Sequence, residues 1–139
     1  MGKKVKVVFD TNVWVSIALK KVLNDEFSRV KQGLTIYVSE DIFLEISKVL
    51  QYPKIAQILR NYGIREKEIL RAIAANSKMV EPKVKLHVIS EDAQDNKILE
   101  CASAAGVDII VSGDKHLLEL GKFKKATILT PREFFNILT

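Results

Sequence analysis

Cysteine is almost absent from this sequence. Cys101 is the single cysteine among 139 residues, so no intrachain disulfide can form and a cysteine-rich zinc site is excluded. Because such a chain suits a reducing compartment, we expect a cytoplasmic protein. Long apolar runs are also missing: none approaches the roughly 18–20 residues of a membrane span. The stretch Val7–Phe9 ends at Asp10, which is too early for a signal peptide, so we interpret it as a buried strand and expect no membrane partner.

The chain also lacks linkers, low-complexity segments and internal repeats. Its length lies close to the roughly 150 residues of one domain, so we predict a single domain over residues 1–139. Apolar residues make up 47% of the chain and charged residues 28%, which excludes wholesale disorder.

Basic residues exceed acidic ones. The 22 lysines and arginines against 17 aspartates and glutamates give a formal net charge of +5. A basic surface suits a polyanionic partner, of which nucleic acid is the first candidate. Many basic proteins bind nothing anionic, so the charge alone does not identify a partner.

Short β-branched strands alternate with helices along the chain. Alternation of this kind predicts a mostly parallel central sheet covered on both faces, that is, a three-layer α/β/α sandwich. The predicted strands are Lys4–Phe9, Thr35–Val38, Lys85–Ile89, Ile109–Val111 and Ala126–Leu129. The predicted helices are Asn12–Lys20, Asn24–Lys31, a helix capped by Ser39 through Leu50, a helix from Pro53 up to Gly63, Arg65–Ser77, Asp95–Ala105, Asp114–Leu120, and a terminal helix with Pro131 in its first turn.

Acidic residues follow several of the predicted strands. Asp10 follows the first, Asp92 and Asp95 follow the third, and Asp114 follows Ile109–Val111. Ligands of doubly wound sheets bind beyond the carboxyl ends of the strands, so these carboxylates are candidate site residues. Asp10, Asp92 and Asp114 each precede a helix and could be ordinary N-caps, and Asp92 with Asp95 could form an Asp variant of a capping box.

A fourth acid, Glu45, lies inside a predicted helix between apolar neighbours. This flanking favours a side chain that is held inward, although an exposed helix residue is the simpler alternative. Several carboxylates at one sheet edge would repel one another unless cations lie between them, and oxygen ligands select hard ions such as Mg²⁺ or Mn²⁺. Zinc is not indicated, because His87 and His116 lie far apart in the sequence.

Four segments in order resemble the motifs of the PIN domain family, the metal-dependent nuclease fold of many toxins of toxin–antitoxin systems. They are VVFDTNV at 7–13, SEDIFLE at 39–45, DAQDNKIL at 92–99 and VSGDKHLL at 111–118. The closing ILTPREF at 128–134 is similar to the end of stand-alone, VapC-like prokaryotic members. Each motif is weak by itself, but the four in order are specific, and the resemblance covers the whole chain.

The resemblance implies a metal-dependent endoribonuclease that hydrolyses RNA with a metal-activated water at a four-carboxylate site. Asp10, Glu45, Asp95 and Asp114 would be the catalytic ligands of Mg²⁺ or Mn²⁺, and Asp92 either a further ligand or a helix cap. Supporting polar residues would be Thr11, Asn12 and Ser112. The implied partners are RNA, a cognate antitoxin protein and a second copy of the chain.

Basic side chains near the acids are candidates for RNA contacts, namely Lys97, Lys115 and His116. Trp14 could stack on a base, but packing against the sheet is the favoured interpretation. The segment Ile55–Ile73 could form a dimer surface or an ordinary buried helical hairpin.

Two other functions are open. A PIN-like module could bind RNA or protein without catalysis, although its intact acids speak against this. A phosphoacceptor receiver domain also carries acids at strand ends, but it needs paired acids after the first strand and a Lys after the last. Here Thr11 and Asn12 follow Asp10, and Thr130-Pro131 follows the last strand.

Overall fold

Strands and helices alternate in the computed structural model, which describes residues 4–21, 31–88 and 93–138. The strands are β1 (Val5–Phe9), β2 (Leu34–Ser39), β3 (Lys78–Val80), β4 (Ile109–Val111), β5 (Lys122–Phe123) and β6 (Ala126–Leu129). The helices are α1 (Thr11–Lys21), α2 (Glu40–Leu50), α3 (Pro53–Asn61), α4 (Glu66–Ala75), α5 (Ala93–Ala105), α6 (Lys115–Leu120) and α7 (Pro131–Leu138). A short 3-10 turn, Lys31–Gly33, precedes β2.

The six strands form one sheet in the order β3-β2-β1-β4-β6-β5. Every pairing is parallel except that of β5 with β6. From β1, the chain first adds β2 and β3 on one side of the sheet. It then returns to the centre and adds β4 on the other side of β1, with β6 and β5 beyond it. Since crossovers between parallel strands are right-handed, helices cover opposite faces of the two halves. The predicted three-layer, mostly parallel sandwich is therefore confirmed, and the order reverses between β1 and β4.

One predicted strand is wrong. Residues 85–88 form no strand, and Ile89 lies outside the described residues. The alternating pattern of this segment indicated a strand, but the backbone N–H of Leu86 donates to Glu100 Oε2 at 2.9 Å instead of to a neighbouring strand. The sheet takes its edge strand β3 from Lys78–Val80, directly after α4, and the two-residue β5 was also not predicted.

Most predicted helix ends are confirmed. Ser39 caps α2, since its Oγ accepts the Ile42 N–H at 3.2 Å, and Pro53 begins α3. Thr130 and Glu133 form a reciprocal capping box at the start of α7, with bonds of 2.9 and 3.1 Å. The predicted helix Asn24–Lys31 falls almost wholly on residues 22–30, which lie outside the described part of the chain.

The core lies between the sheet and its helices. Val7, Val8 and Phe9 of β1 are fully buried, as expected for the central strand of a parallel sheet. Trp14 is 2% exposed and packs edge-to-face on Phe9 with ring centroids 5.2 Å apart, so it is a core residue and not available to stack on a base. Phe134 of α7 packs on the same Phe9 ring at 5.7 Å.

The segment Ile55–Ile73 forms α3 and α4 with the turn between them. Leu59 and Ile69 are buried, which supports the helical-hairpin interpretation, whereas Tyr62 is 60% exposed. A dimer contact through this segment stays a prediction. Within the described residues, no helix has the length and apolar character needed to cross a membrane.

Candidate metal centre

The first part of the site is built where the strand order reverses. β1 and β4 pair in parallel with Phe9 opposite Val111, so the residues that follow them, Asp10 and Ser112, lie side by side. The backbone N–H of Asp10 also donates to the Val111 carbonyl at 3.0 Å, which extends the ladder by one residue. Sheet register alone therefore brings together two residues that are 102 positions apart.

Ser112 links two of the predicted ligands. Its hydroxyl donates to Asp10 Oδ2 at 2.6 Å, and its Oγ accepts the backbone N–H of Asp114 at 2.9 Å. Ser112 is fully buried, and Asp10 is 9% exposed. A hydrogen bond to a charged acceptor at this depth fixes the orientation of the carboxylate. Ser112 therefore positions Asp10 relative to the loop that carries Asp114.

Asp10 and Asp114 also act as helix caps. Asp10 Oδ1 accepts the N–H of Asn12 in the first turn of α1 at 3.1 Å. Asp114 Oδ1 accepts the N–H groups of His116 and Leu117 at 2.8 and 3.4 Å, at the start of α6. The capping interpretation is thus correct for both residues, and it does not compete with the site interpretation, because the two oxygens of an ionised carboxylate offer about four acceptor positions.

Asp95 joins the site from helix α5. It lies in the first turn of α5 and is 4% exposed. Ligand atoms of Asp95, Asp114 and His116 all lie within 4.8 Å of one another. His116 Nδ1 is 3.9 Å from Asp95 Oδ2 and 3.7 Å from Asp114 Oδ1. Three segments of the chain, those after β1, after β4 and at the start of α5, therefore meet at one edge of the sheet.

The electrostatics of Asp114 reflect these contacts. Burial raises the pKa of its carboxyl group. A hydrogen bond that the Asp95 carboxyl group donates when it is protonated, the backbone N–H groups of His116 and Leu117, and the charge of the His116 ring act in the opposite direction and outweigh burial. The pKa of Asp114 is consequently below its ordinary value, which favours the ionised form that a metal ligand requires.

Glu45 is not part of the group of ligand atoms formed by Asp95, Asp114 and His116. It is half-buried in α2, one helical turn after Asp41, so the two acids share a face of that helix. Asp41 contacts Lys97 of α5 at 3.5 Å, which directs this face of α2 toward the first turns of α5. Among the described residues, the group within 4.8 Å contains neither Glu45 nor Asp10. Asp92 lies outside the described residues.

The predicted supporting and RNA-contacting residues have different environments. Thr11 is buried at the start of α1, whereas Asn12 is exposed and contacts Asp10 through its backbone. Lys97 forms ion pairs with Asp41 and with Glu100, the latter at 3.9 Å. Lys115 is exposed directly after Asp114.

Sequence reasoning missed two features. The position of His116 after Asp114 predicts an RNA contact, and the wide spacing of the two histidines does not indicate zinc, whereas the structure places the His116 ring within 4 Å of two carboxylates. The signal was the spacing Asp114-x-His116 at a helix start, which brings the ring back toward the capping side chain. The other feature is Glu100, which is 5% exposed and holds the Leu86 backbone.

The donor set fits a divalent cation. Two carboxylates, one of them deeply buried, face an imidazole nitrogen across less than 4 Å. Carboxylates so close together are stabilised by an added positive charge, and their oxygens suit Mg²⁺ and Mn²⁺.

Comparisons with known proteins agree with this architecture. A family model described as PIN domain matches residues 6–116. The chain is 32% identical over 147 residues to the uncharacterized protein MJ1680 of Methanocaldococcus jannaschii, an alignment that covers 96% of this chain and 91% of that protein. The fold is similar, with a TM-score of 0.59 at 12% identity, to a chain in the crystal structure of VapBC2 from Rickettsia felis bound to a DNA fragment from their promoter. That match covers 91% of this chain and 98% of the other. The chain therefore belongs to the PIN domain family.

Proposed function

We propose that this chain is an endoribonuclease that hydrolyses RNA phosphodiester bonds with the help of a divalent cation, Mg²⁺ or Mn²⁺. The observation that carries the proposal is the cluster at the β1/β4 switch point, where Asp95 and Asp114 meet and Ser112 joins Asp10 to the Asp114 loop. Membership of the PIN domain family supports nuclease chemistry at that cluster.

Asp95, Asp114 and Asp10 would hold the cation, and Glu45 would approach from the half-buried face of α2. A bound divalent cation lowers the pKa of a water molecule and neutralises charge on a scissile phosphate. The protein contributes fixed carboxylates: Asp10 is held by Ser112 and by the Asn12 backbone, and Asp114 by the first turn of α6. Side chains fixed in this way need little reorganisation when a substrate binds.

The RNA backbone would lie over the exposed side of the cluster. Lys115 is exposed directly after Asp114 and is free of ion pairs among the described residues, so it is the better candidate for a phosphate contact. Lys97 is a weaker candidate, because its ammonium group is already shared between Asp41 and Glu100. The net charge of +5 supports a polyanionic substrate.

We also propose that the chain is the toxin of a toxin–antitoxin system, with a cognate antitoxin protein as partner. The VapC-like closing segment at 128–134 and the fold shared with a chain of the VapBC2 structure support this role. An antitoxin that covered the Asp95–Asp114 edge would exclude RNA from it.

A cleavage assay tests the proposed activity. Purified protein is incubated with a single-stranded RNA that carries a fluorophore and a quencher, in Mn²⁺, in Mg²⁺ or with EDTA. We expect cleavage only with metal, and at least about a hundredfold loss in Asp95→Asn, since a metal ligand is removed. Asp108→Asn is the matched control: it changes the same charge at the amino end of β4, the opposite edge from Asp114. It should cleave at the parent rate.

Cleavage that continues in EDTA, or that survives Asp95→Asn unchanged, would contradict the proposed chemistry. The toxin role is tested separately by induced expression in a bacterial host. We expect the parent to arrest growth and Asp95→Asn to leave it unaffected, and equal growth of both strains would speak against a toxin.

A further inference from the structure

His116 distinguishes this site from one built of carboxylates alone. Its Nδ1 is the atom that approaches both acids, at 3.7 Å from Asp114 Oδ1 and 3.9 Å from Asp95 Oδ2. Its side chain is 32% exposed, so the ring lies at the mouth of the cluster above the deeply buried Asp95, whose side chain is 6% exposed. An ion that enters from solvent would meet the ring and both carboxylates together.

The separations are somewhat longer than those between adjacent ligands of one cation. Ligand atoms about 2.1 Å from one ion lie about 3.0 Å apart when adjacent in an octahedron, about 3.4 Å apart in a tetrahedron and about 4.2 Å apart when opposite. The two distances of 3.7 and 3.9 Å fall between these values. Small rotations of the His116 and Asp114 side chains would bring all three atoms into one coordination shell.

The backbone holds the ring in this place. The His116 N–H donates to Asp114 Oδ1 at 2.8 Å, so the residue that carries the imidazole also orients the neighbouring ligand. Leu117, the next residue, is fully buried and fixes α6 against the sheet. The ring is therefore positioned by the same helix start that positions Asp114.

We propose that His116 supplies a nitrogen ligand, through Nδ1, to the cation held by Asp95 and Asp114, and that it shifts the preference of the site from Mg²⁺ and Mn²⁺ toward Co²⁺ and Zn²⁺. The inference rests on the proposed function, because it assumes that the carboxylates hold a metal. Its chemical reason is that carboxylate oxygens suit Mg²⁺ and Mn²⁺, whereas imidazole raises affinity for the later transition ions.

The chain offers a built-in control for a direct test. It contains two histidines, and His87 is exposed in the segment that precedes α5. Protein labelled with ¹⁵N-histidine is titrated with Zn²⁺, which is diamagnetic, and the ring nitrogens are observed by NMR. We expect a large shift of Nδ1 of His116 and no shift of His87. An Nδ1 signal of His116 that is unchanged at saturating Zn²⁺ would overturn the inference.

Affinities give the second readout. Binding of Co²⁺ and Mg²⁺ is measured by calorimetry in the parent, His116→Asn, His116→Ala and His87→Ala. We expect Co²⁺ affinity to fall at least about tenfold in both His116 variants and Mg²⁺ affinity to change less than about threefold, since a nitrogen ligand matters little to Mg²⁺. An unchanged Mg²⁺ affinity would show that each variant keeps the folded site, so that a loss of Co²⁺ affinity beside it is not a folding defect. His87→Ala should match the parent.

The outcomes separate this inference from the proposed function. If His116→Ala keeps the parent Co²⁺ affinity while Asp95→Asn loses metal binding and RNA cleavage, the nitrogen ligand is refuted and the nuclease proposal stands. If the parent binds none of these ions, both are refuted.

Discussion

The Ser112 hydroxyl is a single small group on which two hydrogen bonds of the site depend. The Ser112→Ala substitution removes one hydroxyl from a fully buried side chain. It removes the hydroxyl that donates to Asp10 Oδ2 at 2.6 Å and accepts the Asp114 N–H at 2.9 Å. Loss of a buried hydrogen-bond partner costs about 1–3 kcal/mol, and partial solvent access at Asp114 reduces its share. We therefore expect the free energy of unfolding to fall by about 2–4 kcal/mol.

Urea denaturation of the metal-free protein measures this change. At the size of this domain, the same loss corresponds to a Tm lower by about 7–14 °C. Ser47→Ala is the matched control, because Ser47 Oγ also donates to a carboxylate, Glu66 Oε1 at 3.0 Å, but in a half-buried contact between α2 and α4. It should cost about 1 kcal/mol. If Ser112→Ala were no more destabilising than Ser47→Ala, the Ser112 hydrogen bonds at the ends of β1 and β4 would stabilise the fold no more than an ordinary half-buried bond.

Three further predictions concern other parts of the fold. Phe134→Ala should lower the free energy of unfolding by about 3–5 kcal/mol, since this ring is fully buried against Phe9. Ile137→Ala is the control: its side chain is 67% exposed, so the free energy of unfolding should change by less than about 0.5 kcal/mol. Equal denaturation midpoints for the two variants would contradict this. Burial raises the pKa of the Cys101 thiol to about 12, so alkylation at about pH 8 should follow global unfolding, and rapid labelling of native protein would be inconsistent with it. The Lys6 backbone N–H donates to Asp108 and lowers the pKa of its carboxyl group. This carboxylate therefore contributes stability above its unfolded pKa of about 3.9, and the contribution is lost as pH falls through the lower folded pKa. Thermal melts should show that the difference in Tm between the parent and Asp108→Asn shrinks below about pH 4, and a constant difference would refute the assignment.

The parts of the fold that local sequence determines were predictable. Continuous apolar β-branched runs indicated the central strands, and the residues directly after them, Asp10 and Asp114, follow from strand ends that the pattern marks clearly. The capping signals at Ser39 and Thr130 also depend on neighbours within a few residues, and the structure has both. Such features need no knowledge of the tertiary fold.

The parts that depend on tertiary partners were not predictable. Residues 85–88 alternate like a strand, but the Leu86 N–H bonds to the distant Glu100 side chain. Lys97 was expected at an RNA surface, and only the packing of α2 on α5 shows that Asp41 lies within its reach. No second histidine is near His116 in sequence, and its partners are two carboxylates: the neighbouring Asp114, and Asp95 of α5, which only the tertiary fold brings to the ring.

The two capping aspartates show how structure and chemistry share one side chain. Asn caps a helix about as well as Asp, because the cap needs only a side-chain oxygen that accepts a backbone N–H. At Asp10 and Asp114 one carboxylate oxygen performs this task, so Asn would keep both helix caps and remove the charge that a cation requires. Ala would remove both at once, and a lost activity would then be uninterpretable. The Asp-to-Asn change is therefore the substitution that tests the metal site at these positions. The double role of these aspartates also explains why the sequence alone could not distinguish a helix cap from a metal ligand: the same residue type, at the same strand end, serves both roles.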